Sequence, residues 1–376
     1  MILNSLLLPR PRKLYMIVAT PCRPLPIDES QVRGILTAYD LGPLRCCRRL
    51  AIGPTRSKNL VVEVGSGKKI LKQYKTTMNI DGINYEHAVL KHLATNDFPA
   101  PRLVPNREGE TCLEMEGKYY AIFDFIPGVS YVDYFIPFWR RRAFLTEAGR
   151  TLARYHQIMD GFVPAGRKLN GLTPDGERWW QGQDWYAAIF AEYEDLFKQR
   201  SDKSALDQFF LLRMDGLTQS FVELDLALRD SWDSLPKVVV HGDYRPGNLF
   251  FDRGNLVAVL DFECVHLGPR STEVISALWR FTGQEVGFLN YDRARIFFQA
   301  YSSVCPLKAR EIELMPDIFR WRRLRGLVYH LRDYLELGNP LKIRYAHQSV
   351  TWIDEMEKNG DQMVEFLQEC SRAGSG

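Results

Sequence analysis

Three oxygen-bearing side chains lie in one stretch, VVVHGDYRPGNLFFDRGNLVAVLDFE, which spans residues 238–263. Asp243 follows a short β-branched run, Asn248 comes five residues later, and Asp261 follows two apolar runs. The residues between those runs, Asp252-Arg253-Gly254-Asn255, predict a β-hairpin turn. Because a hairpin returns the chain to its starting point, we expect Asp261 to lie near Asn248.

This set of side chains suits a particular chemistry. Oxygen ligands without cysteine or clustered histidine favour a hard cation such as Mg²⁺, which proteins hold through one or two side chains together with substrate phosphates. Asp243, placed before a tight turn, could accept a proton from a hydroxyl group. A base, an Asn on a metal ion and an Asp between metal and phosphates are the parts that phosphoryl transfer requires. An ordinary hairpin with polar ends is the alternative, and it does not explain the order of the three side chains.

The order H-x-D-x-x-x-x-N followed by D-F-x is that of the protein-kinase catalytic and metal loops. The residues HGDYRPGN, from His241 to Asn248, and LDFE, from Leu260 to Glu263, resemble the aminoglycoside phosphotransferase and choline kinase superfamily. The resemblance implies an α+β, bilobal protein-kinase-like fold, with a small antiparallel-sheet N-lobe and a mainly helical C-lobe. It also implies ATP and Mg²⁺ as cofactors, and transfer of the γ-phosphoryl group of ATP to a hydroxyl group.

The same resemblance implies a role for each residue of the motif. Asp243 is the base or the group that orients the hydroxyl, His241 braces the loop, and Asn248 and Asp261 hold the metal ion. Superfamily members usually have G-P-x-x-x-D at the start of the next helix, where the Asp supports the catalytic loop. Glu273 occupies that place here.

A lysine and a glutamate upstream form the expected phosphate-positioning pair. Three strands are predicted at residues 47–52, 59–64 and 69–74, and Lys72 on the third matches the lysine of the V-A-I-K motif. Alternation along the strand places Lys72 with Ile70. Helical spacing places Glu86 on the apolar stripe of Leu90 and Leu93, where an unpaired carboxylate would be costly. We therefore expect Lys72 to pair with Glu86; solvated surface positions for both are the alternative.

The remaining nucleotide contacts are expected from a loop and a hinge. The loop Gly53–Lys58, which contains Ser57, is the candidate cover for the phosphates, whereas Gly65-Ser66-Gly67-Lys68 lacks the phosphate-loop spacing and predicts a hairpin turn. The segment AIFDFIPG resembles the interlobe hinge of the superfamily. The resemblance places the adenine against backbone groups of Asp124, Phe125 and Ile126.

Length and composition limit the domain organisation and the classes of partner that the chain can have. A chain of 376 residues exceeds what one hydrophobic core usually holds. We expect a disordered arm or extension at 1–27, a nucleotide-binding N-lobe at 28–126, a catalytic and acceptor-binding C-lobe at 127–370 and a disordered tail at 371–376. The net charge of +3 without a long basic block argues against a nucleic-acid partner, and no apolar run is long enough to predict a membrane span.

The seven cysteines are odd in number and show no C-x-x-C spacing, which is typical of reduced thiols in a cytoplasmic protein. The first ten residues place charge after the apolar run, the wrong order for a secretory signal, and Met16 is an alternative start. His156, on a predicted helix, is expected to be a core residue. The aromatic and acidic stretch at 179–197 predicts a helical core, with a site for a cationic amine as the alternative.

The sequence leaves the identity of the acceptor open. The tract ILTAYDLGPL resembles the N-terminal entry of homoserine-kinase-like members. Candidate acceptors are a homoserine-like amino alcohol, a choline-like amine, a sugar or an aminoglycoside. Alternatives from other classes are a protein Ser/Thr kinase of the bacterial stress type and a nucleotide-binding regulatory protein without catalysis. The oligomeric state does not follow from the sequence.

Overall fold

The computed structural model describes residues 27–50, 58–130, 138–166, 183–283 and 289–373. Within these ranges the chain is α+β, as predicted, and its contacts divide it into two compact units. The described part of the first unit consists of residues 27–50, 58–76, 99–130 and 246–260. The second contains 77–98 and the described residues of 138–245 and 261–373. We call them the sheet unit and the helical unit.

The sheet unit contains a six-stranded antiparallel sheet preceded by helix α1 (Glu29–Leu36). Its strands are β1 (Cys46–Arg49), β2 (Lys58–Val64), β3 (Gly67–Gln73), β4 (Leu103–Val104), β5 (Leu113–Met115) and β6 (Lys118–Asp124). The strand order is β1-β2-β3-β6-β4, and β5 pairs with β6. Val64 pairs with Gly67, so Gly65 and Ser66 form the predicted hairpin turn. Apolar residues alternate along β2 and pack with Leu71 against α1.

A second sheet of the same unit contains the predicted β-hairpin. It consists of β7 (Val129–Ser130), β9 (Leu249–Asp252) and β10 (Asn255–Val259), in the order β10-β9-β7. Asp252 pairs with Asn255, and the two residues between them, Arg253 and Gly254, both have positive φ, of 49° and 94°. Two such residues match the type I′ turn, whose twist fits that of the flanking strands. The hairpin prediction is confirmed.

The helical unit contains nine of the helices in the described residues. They are α2 (Ile80–Thr95), α3 (Arg141–Ile158), α4 (Gln183–Gln199), α5 (Ala205–Trp232), α6 (Arg270–Thr282), α7 (Tyr291–Ser302), α8 (Ala309–Glu313), α9 (Met315–Leu335) and α10 (Lys342–Ala373). Strands β8 (Lys237–Val240) and β11 (His266–Pro269) pair as a two-stranded antiparallel ribbon. Single-turn 3₁₀ helices lie at Phe138–Arg140 and Phe262–Cys264 in this unit, and at Pro246–Asn248 in the sheet unit.

Local sequence signals explain how the principal helices begin and which faces they bury. The Asn79 side chain accepts a hydrogen bond from the Gly82 N–H at the start of α2, and Ser204 caps α5 through a capping box with Asp207. Helix α4 buries four aromatic residues at helical spacing, Tyr186, Phe190, Tyr193 and Phe197. In its described part, the aromatic stretch therefore forms a helical core, as predicted.

The structure differs from the sequence predictions at the C-terminal end and in the grouping of helix α2. Helix α10 continues to Ala373, so residues 371–373 are helical and are not part of a disordered tail. Helix α2 groups with the helical unit although it lies in sequence between strands of the sheet unit. The lobe boundary at residues 126 and 127 stays a prediction. Among the described helices, none combines the length and the hydropathy that a membrane span would need.

Candidate active site

The segment His241-Gly242-Asp243, which we call the HGD loop, directly follows strand β8 in the helical unit. The strand pairs with β11 through Val240 and His266, and its three valines are buried. Gly242 follows with a φ of +82°, and a Cβ built there would lie 2.3 Å from the Cys264 carbonyl oxygen. Only glycine fits this backbone without strain or a clash. The loop is therefore tightly packed against the segment that follows Asp261.

Glu273 holds the backbone of this loop from the first turn of α6. One carboxylate oxygen accepts a hydrogen bond from the His241 N–H at 2.8 Å, and the other accepts one from the Gly242 N–H at 2.6 Å. The Nε2 atom of His156, on α3, lies 3.0 Å from the same carboxylate. The supporting role predicted for Glu273 is confirmed, because its carboxylate fixes two successive peptide groups.

The charge of Glu273 is stabilised although the side chain is buried. Burial alone would raise the pKa of its carboxyl group. The hydrogen bond and charge of His156, the charge of His241 and the His241 N–H outweigh that effect and lower the pKa below its usual range. Glu273 is therefore ionised at neutral pH, and an ionised carboxylate can accept both backbone N–H groups at once.

Two buried histidines complete the support. The Nδ1 atom of His156 lies 2.8 Å from the hydroxyl group of Tyr301, so this histidine is a satisfied core residue, as predicted. His241 is fully buried, packs against Phe262 with ring centroids 4.7 Å apart, and lies with Nδ1 3.3 Å from the Asp243 N–H. These contacts agree with a bracing role for His241.

Asp243 lies at the end of this rigid support, partly exposed. Its carboxylate accepts a hydrogen bond from Nε of Arg245 at 2.9 Å. It lines a cavity of about 140 Å³ within the helical unit, together with residues of α6 and α9. A carboxylate that is held by its backbone and open to a cavity can contact a small molecule placed there.

Asp261 has a backbone conformation that few residues adopt. Its φ and ψ are 68° and 67°, in the left-handed region, and it directly precedes the 3₁₀ turn Phe262–Cys264. Asp and Asn are enriched among non-glycine residues in this region, and such strain is often stored at functional sites. The side chain of Asp261 is exposed, whereas that of the neighbouring Phe262 is buried. The fold therefore directs Phe262 inward and leaves the Asp261 carboxylate accessible.

Glu86 also belongs to the helical unit. It is only 2 % exposed on α2, on the same buried stripe as Leu90 and Leu93, as predicted. Helix α2 contacts the 3₁₀ turn that follows Asp261. The Glu86 carboxylate is therefore buried on a helix that packs against the segment carrying the predicted metal ligand.

Two other predicted positions, Lys72 and Asn248, lie in the sheet unit. Lys72 lies on β3, between β2 and β6, half-buried on the same face as Ile70, and its Nζ atom lies 4.3 Å from the centroid of the Tyr74 ring. Asn248 is buried, and its carbonyl oxygen accepts a hydrogen bond from the Leu260 N–H at 2.8 Å. The hairpin thus brings Leu260, the residue bonded to Asp261, back to Asn248.

The predicted hinge follows the end of β6. The Asp124 carboxylate accepts a hydrogen bond from Nζ of Lys69 at 2.6 Å, and the Asp124 N–H donates to the carbonyl oxygen of Arg102. Phe125 and Ile126 are partly exposed. Since the Asp124 N–H is already used, any backbone N–H donor to an adenine would have to come from Phe125 or Ile126.

Two predictions stay open. Ser57, with most of the loop Gly53–Lys58, lies outside the described residues. Lys72 and Glu86 belong to different compact units, so their pairing stays a prediction.

No cluster of three or more His, Cys, Asp or Glu side chains suited to a metal ion occurs in the described ranges. Mg²⁺ held by one or two protein oxygens and substrate phosphates does not need such a cluster.

Sequence reasoning missed three arginines that line the cavity beside Asp243. Arg280 lies on α6, four residues after Ser276 and seven after Glu273, so the three share one helix face. Arg322 and Arg323 lie on α9, three and four residues after Phe319, which also lines the cavity. The run RWRRLR at residues 320–325 was visible in the sequence, but nothing in the sequence indicated that it faces Asp243.

Comparison with known proteins agrees with this arrangement. The model of the phosphotransferase enzyme family matches residues 49–307. A homoserine kinase from Bradyrhizobium sp. (strain ORS 278) is 28% identical over 342 residues, which cover 86% of this chain and 95% of the relative. Another homoserine kinase, from Rhodospirillum rubrum, is 28% identical over 82% of this chain and 87% of its own length.

Solved structures share the fold at low sequence identity. The crystal structure of an aminoglycoside phosphotransferase from Alicyclobacillus acidocaldarius superposes with a TM-score of 0.60 at 16% identity, over 94% of this chain and 97% of that one. The predicted protein-kinase-like fold is confirmed. The family model covers more than half of the chain, including the HGD loop, the hairpin and Glu273. The chain therefore belongs to the phosphotransferase enzyme family and is a kinase with an alcohol group as its acceptor.

Proposed function

We propose that this protein transfers the γ-phosphoryl group of ATP to a hydroxyl group of a small amino alcohol, with homoserine as the first candidate. The observation that carries the proposal is the HGD loop. Its backbone is fixed by the ionised Glu273 carboxylate, and Asp243 lines a cavity beside it. Positioning and electrostatics supply most of the rate enhancement in phosphoryl transfer, and a fixed carboxylate beside the acceptor contributes both.

Asp243 acts on the acceptor hydroxyl. A hydroxyl group in the cavity can donate a hydrogen bond to the Asp243 carboxylate, which orients the oxygen. The carboxylate accepts its proton as the new O–P bond forms and the O–P bond to the departing ADP breaks. Arg245, hydrogen-bonded to the same carboxylate, limits its rotation. The bracing by His241 and Glu273 keeps this carboxylate in one position during the reaction.

The residues that would hold Mg²⁺ are Asn248 and Asp261. Both offer oxygen donors, which suit a hard cation, and the exposed Asp261 carboxylate is accessible to one. When bound, Mg²⁺ would neutralise negative charge on the nucleotide phosphates. The left-handed conformation of Asp261 aims its side chain away from the buried Phe262.

The residues that the family resemblance singles out are proposed to bind the nucleotide. Lys72 and Glu86 are proposed to position the phosphates, and Ser57 to contact them from its loop. The adenine edge is proposed to contact the hinge at Phe125 and Ile126, with Asp124 fixed by Lys69. The half-buried position of Lys72 on a central strand and the buried position of Glu86 on α2 support these roles.

The acceptor is proposed from the cavity size and from the relatives. A cavity of about 140 Å³ is smaller than the roughly 300–1,000 Å³ typical of pockets for drug-sized ligands. It therefore favours a compact acceptor over an aminoglycoside or a protein segment. Two relatives are homoserine kinases, and homoserine is a four-carbon amino alcohol that also carries a carboxylate.

A test of this proposal compares acceptors and one carboxylate variant. We expect Mg²⁺-dependent release of ADP from ATP to be stimulated by homoserine. In Asp243→Asn, turnover should fall by about 10² to 10⁴-fold, the usual contribution of a positioned base, while ATP binding stays nearly unchanged. Coupled ADP detection measures the first quantity and isothermal titration with ATP the second.

The matched control is Asp233→Asn. Asp233 is an exposed carboxylate that pairs with Lys237, ten residues before Asp243. Its substitution should leave turnover as in the wild type. Full turnover in Asp243→Asn would contradict the role of this residue. ATP binding without stimulation by amino alcohols, amines, sugars or aminoglycosides would contradict the proposed function and favour a protein acceptor or a regulatory role.

A further inference from the structure

The cavity beside Asp243 has an unusual distribution of charge. Two helices supply most of its wall, with Ser276 and Arg280 from α6 and Phe319, Arg322 and Arg323 from α9. Three guanidinium groups and two carboxylates, those of Asp243 and Glu273, line it. We call Arg280, Arg322 and Arg323 the arginine cluster. The arginine cluster therefore lines the same cavity as Asp243, whose carboxylate would contact the acceptor hydroxyl.

The two carboxylates of the wall are already engaged. Glu273 accepts two backbone N–H groups and contacts His156, and Asp243 accepts a hydrogen bond from Arg245. The Glu273 carboxylate also interacts electrostatically with Arg322 of the cluster. A guanidinium group has five N–H donors, so an arginine that already has one partner can still bind an anion.

The arginines of α9 are held in place by aromatic side chains. Arg323 stacks on the rings of Phe319 and Trp352, at 4.8 and 4.6 Å from their centroids. Burial and the like charges of Arg325 and Arg280 lower the pKa of Arg322 to about 10, although the nearby Glu273 carboxylate opposes this shift. A half-buried cation of this kind gains more from a bound anion than a fully exposed one does, because less water competes for it.

We propose that the arginine cluster binds a carboxylate of the acceptor, so that the enzyme selects small hydroxy acids over amino alcohols that lack an acidic group. This inference rests on the proposed function and specifies its acceptor. A carboxylate matches the forked donors of arginine in a bidentate arrangement. With its carboxylate on the cluster and its hydroxyl at Asp243, a short hydroxy acid would span the cavity. A choline-like cation would meet like charge instead.

The first arm of the test uses three acceptors that differ by one group each. Homoserine has both an amine and a carboxylate, 3-aminopropan-1-ol lacks only the carboxylate, and 4-hydroxybutyrate lacks only the amine. We expect kcat/KM of the wild-type protein to fall at least about 100-fold without the carboxylate, because the arginine cluster would lose its contact with the acceptor's anion, and much less without the amine. A preference for 3-aminopropan-1-ol over homoserine would overturn the inference and leave the proposed function standing.

The second arm uses Arg322→Gln. It should raise KM for homoserine and reduce the preference for homoserine over 3-aminopropan-1-ol by at least about ten-fold, with kcat/KM for 3-aminopropan-1-ol unchanged or raised. A purely structural role would lower turnover of both acceptors together and keep the ratio. The control is Arg325→Gln, a nearby arginine of α9 that binds the Tyr186 hydroxyl and is not among the residues that line the cavity. It should keep the wild-type ratio, and an equal change in both variants would overturn the inference.

A binding measurement separates this inference from the proposed function. 2-Aminobutyrate is homoserine without the hydroxyl group, and propylamine lacks both the hydroxyl and the carboxylate. By isothermal titration, 2-aminobutyrate should bind the wild-type protein more tightly than propylamine, and Arg322→Gln should lose this difference. This result without turnover of any acceptor would support the carboxylate site and contradict the proposed function. Equal or absent binding of both compounds to the wild-type protein would overturn the inference, and so would an unchanged difference in a folded Arg322→Gln protein.

Discussion

Glu273 shows how one residue determines the geometry of the candidate site. Its carboxylate binds the His241 and Gly242 N–H groups and contacts His156 while being almost completely buried. The residue is one methylene longer than the Asp usual at this place in the superfamily. The longer side chain still reaches two peptide groups, so the substitution preserves the support of the loop.

Glu273→Gln is expected to destabilise the protein by at least about 2 kcal/mol at neutral pH, since a neutral amide loses charge-assisted hydrogen bonds. Folding lowers the pKa of Glu273 below its ordinary 4.5. The stability that its charge contributes is therefore fully present above pH 4.5 and is lost as the pH falls through the folded-state pKa. The free energy of unfolding, measured with denaturant at several pH values, should differ between Glu273→Gln and the wild type by an amount that shrinks below pH 4.5. A constant difference would contradict the ionised state.

Asp261 combines a strained backbone with a predicted metal-binding side chain. Asp261→Asn keeps a residue type that tolerates the left-handed region but removes the charge. Turnover should fall at least about 100-fold with little change in melting temperature. Asp261→Ala should lose turnover and also melt at a lower temperature, because alanine in this region costs about 1 kcal/mol. Enzyme assays and thermal unfolding measure both effects. Wild-type turnover in either variant would exclude Asp261 from the reaction.

At the scale of elements, helices α6 and α9 present single faces to the site. Glu273, Ser276 and Arg280 follow helical spacing on α6, and Phe319, Arg322 and Arg323 do so on α9. The first turn of α6 thus supports the HGD loop while later turns line the cavity. One rigid helix therefore couples the support of the candidate base to the wall that the acceptor would touch.

The turn of the β9–β10 hairpin is not optimal. Arg253 has a φ of 49°, a conformation that Asn adopts more readily at this place of a two-residue turn. Arg253→Asn should therefore stabilise the protein by about 0.5–1 kcal/mol and raise the melting temperature by about 1–4 °C. Differential scanning calorimetry would measure the change. Arg253→Val is the opposite control, because a β-branched residue at positive φ should lower the melting temperature.

At the scale of the whole molecule, the compact units do not follow the order of the sequence. The hairpin of residues 246–260 belongs to the sheet unit, where the Val259 N–H donates to the carbonyl oxygen of Pro99. Helix α2 belongs to the helical unit. The proposed site residues are therefore divided, with Asp243, Asp261 and Glu86 in one unit and Lys72 and Asn248 in the other.

A fragment of residues 27–126 is therefore not expected to fold by itself. It would lack the hairpin that bonds to Pro99, and it would expose the side chains of Val89, Leu90 and Leu93, which are buried on α2. Circular dichroism during heating should show no cooperative transition for the fragment, in contrast to the full chain. A sharp transition in the isolated fragment would show that these residues form an independent domain.

Local sequence patterns determined much of the fold. Alternating apolar residues and the turns at Gly65-Ser66 and Arg253-Gly254 predicted the two hairpins, because strand pairing across short turns depends on neighbouring residues. The stripe of Glu86, Leu90 and Leu93 predicted the buried face of α2 for the same local reason. The order of Asp243, Asn248 and Asp261 indicated the reaction class, since that chemistry depends on residue type and spacing.

Only the tertiary structure decided which distant residues surround Asp243. Glu273 was expected to support the loop by resemblance, but its contacts with His156 and two backbone N–H groups join residues up to 117 positions apart. The arginine cluster joins α6 to α9 across about 40 residues. Contacts of this kind depend on how helices pack, and periodicity within each helix does not specify its neighbour. The reaction class therefore followed from the sequence, whereas the charge of the cavity beside Asp243 followed from the packing of two helices.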